Sequence, residues 1–338
     1  MNTRSENITL SIYLVRAAIK RAHALGFDPT PLLLECRISP KLLGEDNARV
    51  PAAQYAKLVY LTMRKMNDEL LGYSSRPLKF GSWSAACYNL IHSHTLGQAL
   101  NKLCGFTSLF ERGLKMEILA EKDIIYLRAS PWDNSLNVES YGYDLTLFST
   151  YRMACWLIEE NIALHHVRLP YPKPEYADEY RLMYHRCPVY FNQPVSELAF
   201  NKAAYDKPIT RNENHLAQYL RNFMLHSMVD NYGSATWTAK VRDVASNNPA
   251  ALPALNAIAE YFSIHPKTLR RRLADEGTHI GEIKDQIRRD RAIYYLSKPG
   301  LSVENIASRV GYSEASAFIR AFKKWTGVTP LTYRKGLG

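Results

Sequence analysis

Hydrophobic residues recur at helical spacing along most of this 338-residue chain. Ile12, Val15, Ile19 and Ala22 form one apolar stripe, which predicts an amphipathic helix near the start. A second helix is expected from Pro51, which lacks an N–H and suits a first turn, on through Tyr55, Leu58 and Met63. Residues 90–110 keep the helical period, with breaks expected at Gly97 and Gly105. The period then changes. Residues 114–119 and 124–128 are strand-like and flank Glu121-Lys122-Asp123, which predicts a hairpin. A helix is expected near 143–161. Further strand-like pieces lie at 163–169 and 189–191, separated by the loop signal Tyr171-Pro172-Lys173-Pro174. Residues 1–205 thus read as an α+β domain. Leu216, Leu220, Phe223 and Met224 mark a helix over 212–230. Residues 206–234 fit a linker helix with a dimer contact, or equally a terminal helix packed on its own domain. Tyr232-Gly233-Ser234 is a plausible joint.

Residues 235–338 read as an all-α domain containing two helix-turn-helix patterns. In the first, Leu255, Ile258, Ala259 and Phe262 share one helix face. Ser263-Ile264-His265-Pro266 makes the turn. Leu269 and Leu273 then face inward, while Lys267, Arg270 and Arg271 face outward. In the second, Val303, Ile306, Ala307 and Val310 form the first helix face, and Gly311 supplies a turn with positive φ. Ser313 is the expected cap of the next helix. Ala317, Phe318 and Phe322 face inward there, Ser316 and Arg320 outward, and Thr329-Pro330 opens a last short helix. A connector over 279–296, with Ile280, Ile283, Ile287, Ala292 and Leu296 buried, ends at Lys298-Pro299-Gly300. Its length of roughly 27 Å suits two reading helices about one DNA turn, or about 34 Å, apart.

Charge supports this assignment. The net formal charge is +11, and residues 235–338 hold 17 Lys and Arg against nine Asp and Glu. A basic block of this kind fits a polyanionic partner, because Lys and Arg release condensed counterions from nucleic acid. The five cysteines, Cys36, Cys87, Cys104, Cys155 and Cys187, contain no CxxC pair and read as free thiols in a reducing, cytoplasmic compartment. No stretch is apolar enough for a membrane span, and no secretory signal is evident. His92-Ser93-His94 and His165-His166 do not converge on one helix face, which argues against a metal site. No cofactor motif stands out.

The run Pro266-Lys267-Thr268-Leu269-Arg270-Arg271-Arg272-Leu273 is followed by Arg288, Ala292 and Leu296, Ile306-Ala307, and Val310-Gly311-Tyr312. Then come Ser316-Ala317-Phe318-Ile319-Arg320-Ala321-Phe322-Lys323-Lys324-Trp325-Thr326-Gly327, Thr329-Pro330 and Tyr333-Arg334. Together these resemble the DNA-binding domain of the AraC/XylS family of bacterial transcription regulators. Ser263 stands where many relatives have Gly, and Tyr312 where Phe is usual. The resemblance implies that Lys267, Thr268, Arg270 and Arg271 contact DNA in the first unit and Ser316 and Arg320 in the second. Lys323, Lys324 and Arg288 are implied phosphate contacts, and Arg272 is expected to lie against the connector. The N-terminal two thirds resemble the branch that includes the ornithine-utilisation regulator, through the helical start and Phe80-Gly81. They do not resemble the sugar-binding domain of the arabinose regulator.

The expected partners are a double-stranded DNA operator, a small-molecule effector, RNA polymerase and a second copy of the chain. Candidate effector residues are Trp83, Tyr88, His92, Tyr126, Arg128, Tyr143 and Trp156, with His94, Tyr141 and Tyr151 nearby in sequence or type. An aromatic interior with a few polar groups suits a small-molecule pocket, and core packing accounts for the same residues. Two other functions compete. A DNA-modifying or repair enzyme would need a reactive motif, and His185-Arg186-Cys187-Pro188 does not supply the alkyl-transfer pattern. An architectural DNA-binding protein would have a purely structural N-terminal domain.

Overall fold

The structure, a computed structural model, describes residues 8–133, 135–230, 232, 236–246, 252–298 and 300–335. The chain forms two compact units that do not follow chain order. One comprises Met1–Val15, Leu33–Tyr55 and Ser234–Gly338, and the other Arg16–Leu32 and Ala56–Gly233. The joint expected at Tyr232-Gly233-Ser234 lies mostly outside the described residues.

The second unit is built on a five-stranded sheet. Strands β1 (Thr9–Ser11) and β2 (Arg49–Pro51) belong to the other unit. The sheet itself comprises β3 (Leu114–Glu121), β4 (Ile124–Pro131), β5 (Leu164–Arg168), β6 (Val189–Tyr190) and β7 (Ser196–Asn201), ordered β3-β4-β7-β5-β6. β3 and β4 are the expected hairpin, turned at Lys122-Asp123, with Glu121 still paired to Ile124. Alternation then decides the two faces. Ile125, Leu127 and Ala129 of β4 are buried, and Leu198 and Phe200 of β7 pair beside them. The opposite face carries Tyr126, Arg128, His166, Arg168 and Glu197. The helix Ser140–Ile158 packs against β4 and β7.

Several local expectations are corrected. Pro51 closes β2, pairing with Thr9, and its helix begins at Ala52. Gly97 and Gly105 lie inside one helix, Leu96–Ser108, and do not break it. At Gly97 a Cβ would stand 2.3 Å from the Tyr205 ring, so the residue is small because a neighbour needs the space. The stretch 212–230 is two helices, Glu213–Arg221 and Phe223–Val229, interrupted at Asn222.

In the first unit, β1 and β2 form a short antiparallel ribbon. The helices Trp237–Ser246, Leu255–Tyr261, Pro266–Asp275 and Ile280–Leu296 share a core of Val241, Ala245, Ile258, Ala259, Leu269, Leu273, Ile283 and Ile287. The helices Val303–Arg309, Ala315–Thr326 and Pro330–Lys335 complete it, with Phe318, Phe322 and Tyr333 fully buried. The ribbon packs on the connector Ile280–Leu296 through β2. Tyr333 donates its hydroxyl to the Arg49 carbonyl at 2.6 Å.

Candidate nucleic-acid interface

Each helix-turn-helix pair is fixed by its turn. In the first, Ser263 has φ 52°, the left-handed conformation that glycine adopts at less cost. That geometry lets the Ser263 and Ile264 N–H groups reach the Glu260 and Ala259 carbonyls at 2.9 and 3.0 Å. His265 then caps the reading helix, its Nδ1 accepting from the Lys267 N–H at 3.2 Å, and Pro266 opens it. In the second pair, Gly311 takes φ 86°, and the Gly311 and Tyr312 N–H groups reach Ser308 and Ala307 at 3.0 and 2.9 Å. The residue at the cap of its reading helix is Glu314, without a side-chain cap bond, in place of the expected Ser313.

The two reading helices, Pro266–Asp275 and Ala315–Thr326, bury Leu269 and Leu273 and, correspondingly, Phe318 and Phe322. Opposite these, Lys267, Arg270 and Arg271 are exposed on the first, and Thr268 is half-buried. Ser316, Arg320, Lys323 and Lys324 are exposed on the second. Each helix therefore turns a polar stripe outward from a fixed apolar base, which is what insertion into a major groove requires.

Two arginines lie elsewhere. Arg272 rests over the Trp237 ring at 4.2 Å, so it packs on the helix Trp237–Ser246. Arg288 is half-buried, 5.5 Å from the Tyr312 ring centroid and 3.6 Å from Asp285. The aromatic ring at 312 thus lies under a connector arginine, a contact that Phe could make equally well.

Sequence reasoning missed two supporting carboxylates. Glu276 accepts from the Trp237 and Thr238 N–H groups at 2.7 and 2.8 Å and from the Thr238 hydroxyl at 2.6 Å, closing the start of that helix. Asp290, buried on the connector, accepts from Thr9 at 2.5 Å, Arg242 at 3.4 Å and Arg289 at 3.2 Å. An acidic side chain in a basic helical domain was the only signal available for either.

The effector candidates fall into separate places. Trp83 lies 5.4 Å from Phe223, and Trp156 stacks on Tyr219 at 4.5 Å; Tyr219 and Phe223 are 5.5 Å apart, so these two join one aromatic cluster. Tyr88 is exposed, and exposed His92 pairs with Glu213 at 2.9 Å. His92 lines an open cavity of about 410 Å³ with Ile91, Arg211, Asn212, Glu213 and Asn214. Tyr126 and Arg128 stand on the sheet's polar face, where buried Glu197 meets Arg128 at 2.8 Å, Arg168 at 2.9 Å and His166 at 3.1 Å. Burial alone pushes Glu197 up, but hydrogen bonds from Arg128 and His166 and the two arginine charges prevail and hold it below the usual carboxylate range.

Tyr143 is buried 5.9 Å from Tyr171, beside a group the sequence did not reveal. Asp144 is buried and accepts from the hydroxyls of Tyr171, Tyr176 and Tyr180 at 2.5, 2.7 and 2.8 Å. Burial pushes its carboxyl up to about 6 against the pull of these hydroxyls. Tyr141 also meets Tyr73 and Tyr176, and Tyr151 donates to the Ile162 carbonyl at 2.9 Å. Among the described residues no group of three metal-ligating side chains converges, and no helix is long and apolar enough to cross a membrane.

Paired helix-turn-helix units with basic outward stripes define a DNA-binding transcription regulator. Residues 26–209 match the family model described as the arabinose-binding domain of the AraC transcription regulator, N-terminal, and residues 258–336 match a helix-turn-helix domain. The chain belongs to the AraC family, with a ligand-binding domain ahead of its DNA-binding domain. The first match corrects the expectation that the N-terminal domain stands apart from that of the arabinose regulator. The chain is 25% identical to the ornithine utilization regulator of Pseudomonas aeruginosa over 92% of its own length and 91% of that protein. It is 43% identical to the regulator VirS of Mycobacterium tuberculosis over 86 residues, 25% of each chain. A solved structure of the transcriptional regulator CdpR from Pseudomonas aeruginosa covers 96% of this chain and 98% of its own, at 20% identity and a TM-score of 0.32.

Proposed function

We propose that Lys267, Thr268, Arg270, Arg271, Ser316 and Arg320 read an operator in two successive major-groove segments. Arg270, Arg271 and Arg320 suit bidentate contacts to guanine, each a source of about 1–3 kcal/mol of discrimination. Lys323 and Lys324 suit phosphate, which positions the protein without specifying sequence. Arg288, held against Tyr312 at the base of the second pair, suits a phosphate beside that turn. The observation that carries the reading is that both reading helices expose polar and basic side chains, Lys267, Arg270 and Arg271 on one and Ser316, Arg320, Lys323 and Lys324 on the other, opposite buried apolar residues.

In this reading a small molecule bound to the N-terminal domain shifts a conformational equilibrium and so changes operator affinity or the engagement of RNA polymerase. The protein works as a homodimer in the cytoplasm, by binding and not by catalysis. The aromatic cluster of Trp83, Trp156, Tyr219 and Phe223 supports an effector site there, and Tyr88, His92, Tyr126, Arg128 and Tyr143 stand outside it. A thermal-shift screen of metabolites, followed by DNA binding with and without each hit, tests this. A ligand that raises stability and changes operator affinity is expected; ligands that stabilise without any effect on DNA would overturn the coupling.

A further inference from the structure

The two reading helices can be aligned on their own geometry. His265 and Glu314 both stand immediately before the helix. Four residues on, Leu269 and Phe318 are both fully buried, and eight residues on, Leu273 and Phe322 are buried as well. The inward positions coincide, so the outward ones do too. Lys267 then corresponds to Ser316, Arg271 to Arg320, and Ala274 to Lys323. Arg270 corresponds to Ile319.

Ile319 is 36% exposed. A single exposed apolar residue is ordinary on a protein surface. Its position is what distinguishes it. Ser316, Arg320 and Lys323 lie three before, one after and four after it, and all are exposed, so Ile319 sits within the outward stripe. It has no donor or acceptor. In a major groove, the apolar feature that such a side chain can meet is the thymine methyl group. A β-branched side chain is also stiff at χ1, so its methyl groups are held in place without much further loss of freedom.

We infer that Ile319 is a specificity-determining residue that selects thymine in the second half of the operator, at the place where Arg270 selects guanine in the first. This rests on the reading faces proposed above. It assigns the two halves different chemistry: a charged, hydrogen-bonded contact in one and an apolar contact in the other.

The test uses the full chain and DNA enriched by it from a random library. Each thymine of the enriched site is replaced singly by deoxyuridine, which removes only the methyl group. One replacement in the second half should weaken wild-type binding about fourfold, the size expected for one buried methyl. The same replacement should leave Ile319→Ser binding unchanged, and Ile319→Val should retain the wild-type response. The inference is overturned if no deoxyuridine substitution affects the wild type more than Ile319→Ser. If Arg270→Ala and Arg320→Ala weaken binding in that same case, the reading faces stand and only the role of Ile319 falls. If neither arginine matters, the reading faces fall as well.

Discussion

The Thr9 hydroxyl donates to the Asp290 carboxylate at 2.5 Å, joining positions 281 residues apart inside one compact unit. Thr9 also accepts from Arg49 Nε at 3.0 Å, so the β1–β2 ribbon is tied to the connector by a chain of polar groups. Removing the hydroxyl leaves a buried carboxylate one donor short, which costs about 1–3 kcal/mol. Thr9→Val should therefore lower the unfolding free energy by that order, and Thr9→Ser should not. Chemical denaturation of the two variants measures it; equal stabilities would show that the ribbon is incidental to the fold.

Asp144 gives the protein a stability term with a defined pH sign. Its folded pKa is raised from 3.8 to about 6 by burial, so the folded state holds a proton that the unfolded state releases earlier. This contribution is fully present below pH about 4 and is lost as pH rises through about 6, a swing on the order of 3 kcal/mol. Asp144→Asn cannot ionise, so its stability relative to wild type should be higher at pH 8 than at pH 4. Denaturation across that range is the measurement, and an unchanged difference would refute it.

Gly97→Ala places a methyl group against the Tyr205 ring, whose hydroxyl also accepts from Asn101 at 2.6 Å. Overpacking of this kind costs about 1–3 kcal/mol. Adding Tyr205→Leu should recover part of the loss. Additive losses in the double variant would show that the ring is not what keeps position 97 small.

Lys323→Ala should weaken binding about equally on enriched and random DNA and reduce the slope of log affinity against log salt by about 1. Arg270→Ala should instead weaken the enriched site and relax one base pair. Salt titrations on both DNAs separate these outcomes, and identical behaviour of the two variants would remove the division between positioning and reading.

The DNA-binding helices were legible because their information is local. Ile258, Ala259, Leu269, Leu273, Phe318 and Phe322 keep the helical period, and each is buried as expected. The central strand β7 was missed because Ser196-Glu197-Leu198-Ala199-Phe200 places a charge in its middle, and only Arg128, Arg168 and His166 from other strands make that carboxylate acceptable there. Three-residue strands such as β1 and β2 carry too few positions to show alternation. The helix break at Asn222 is equally silent, since the apolar period of Leu216, Leu220, Phe223 and Met224 continues across it. The effector candidates were chosen by residue type, which cannot say that Trp83 and Trp156 share a cluster while Tyr88 is exposed. That sorting depends on contacts such as Trp156 with Tyr219, 63 positions away.

The central claim is that two helix pairs read one DNA site together. Selection of bound DNA from a random library, with the wild type, Arg270→Ala and Arg320→Ala, tests it most directly. The account predicts two sequence blocks centred about one helical turn, roughly 10 base pairs, apart. Each arginine substitution should blur one block and leave the other sharp. Enrichment of a single block, or a profile that neither substitution alters, would contradict it.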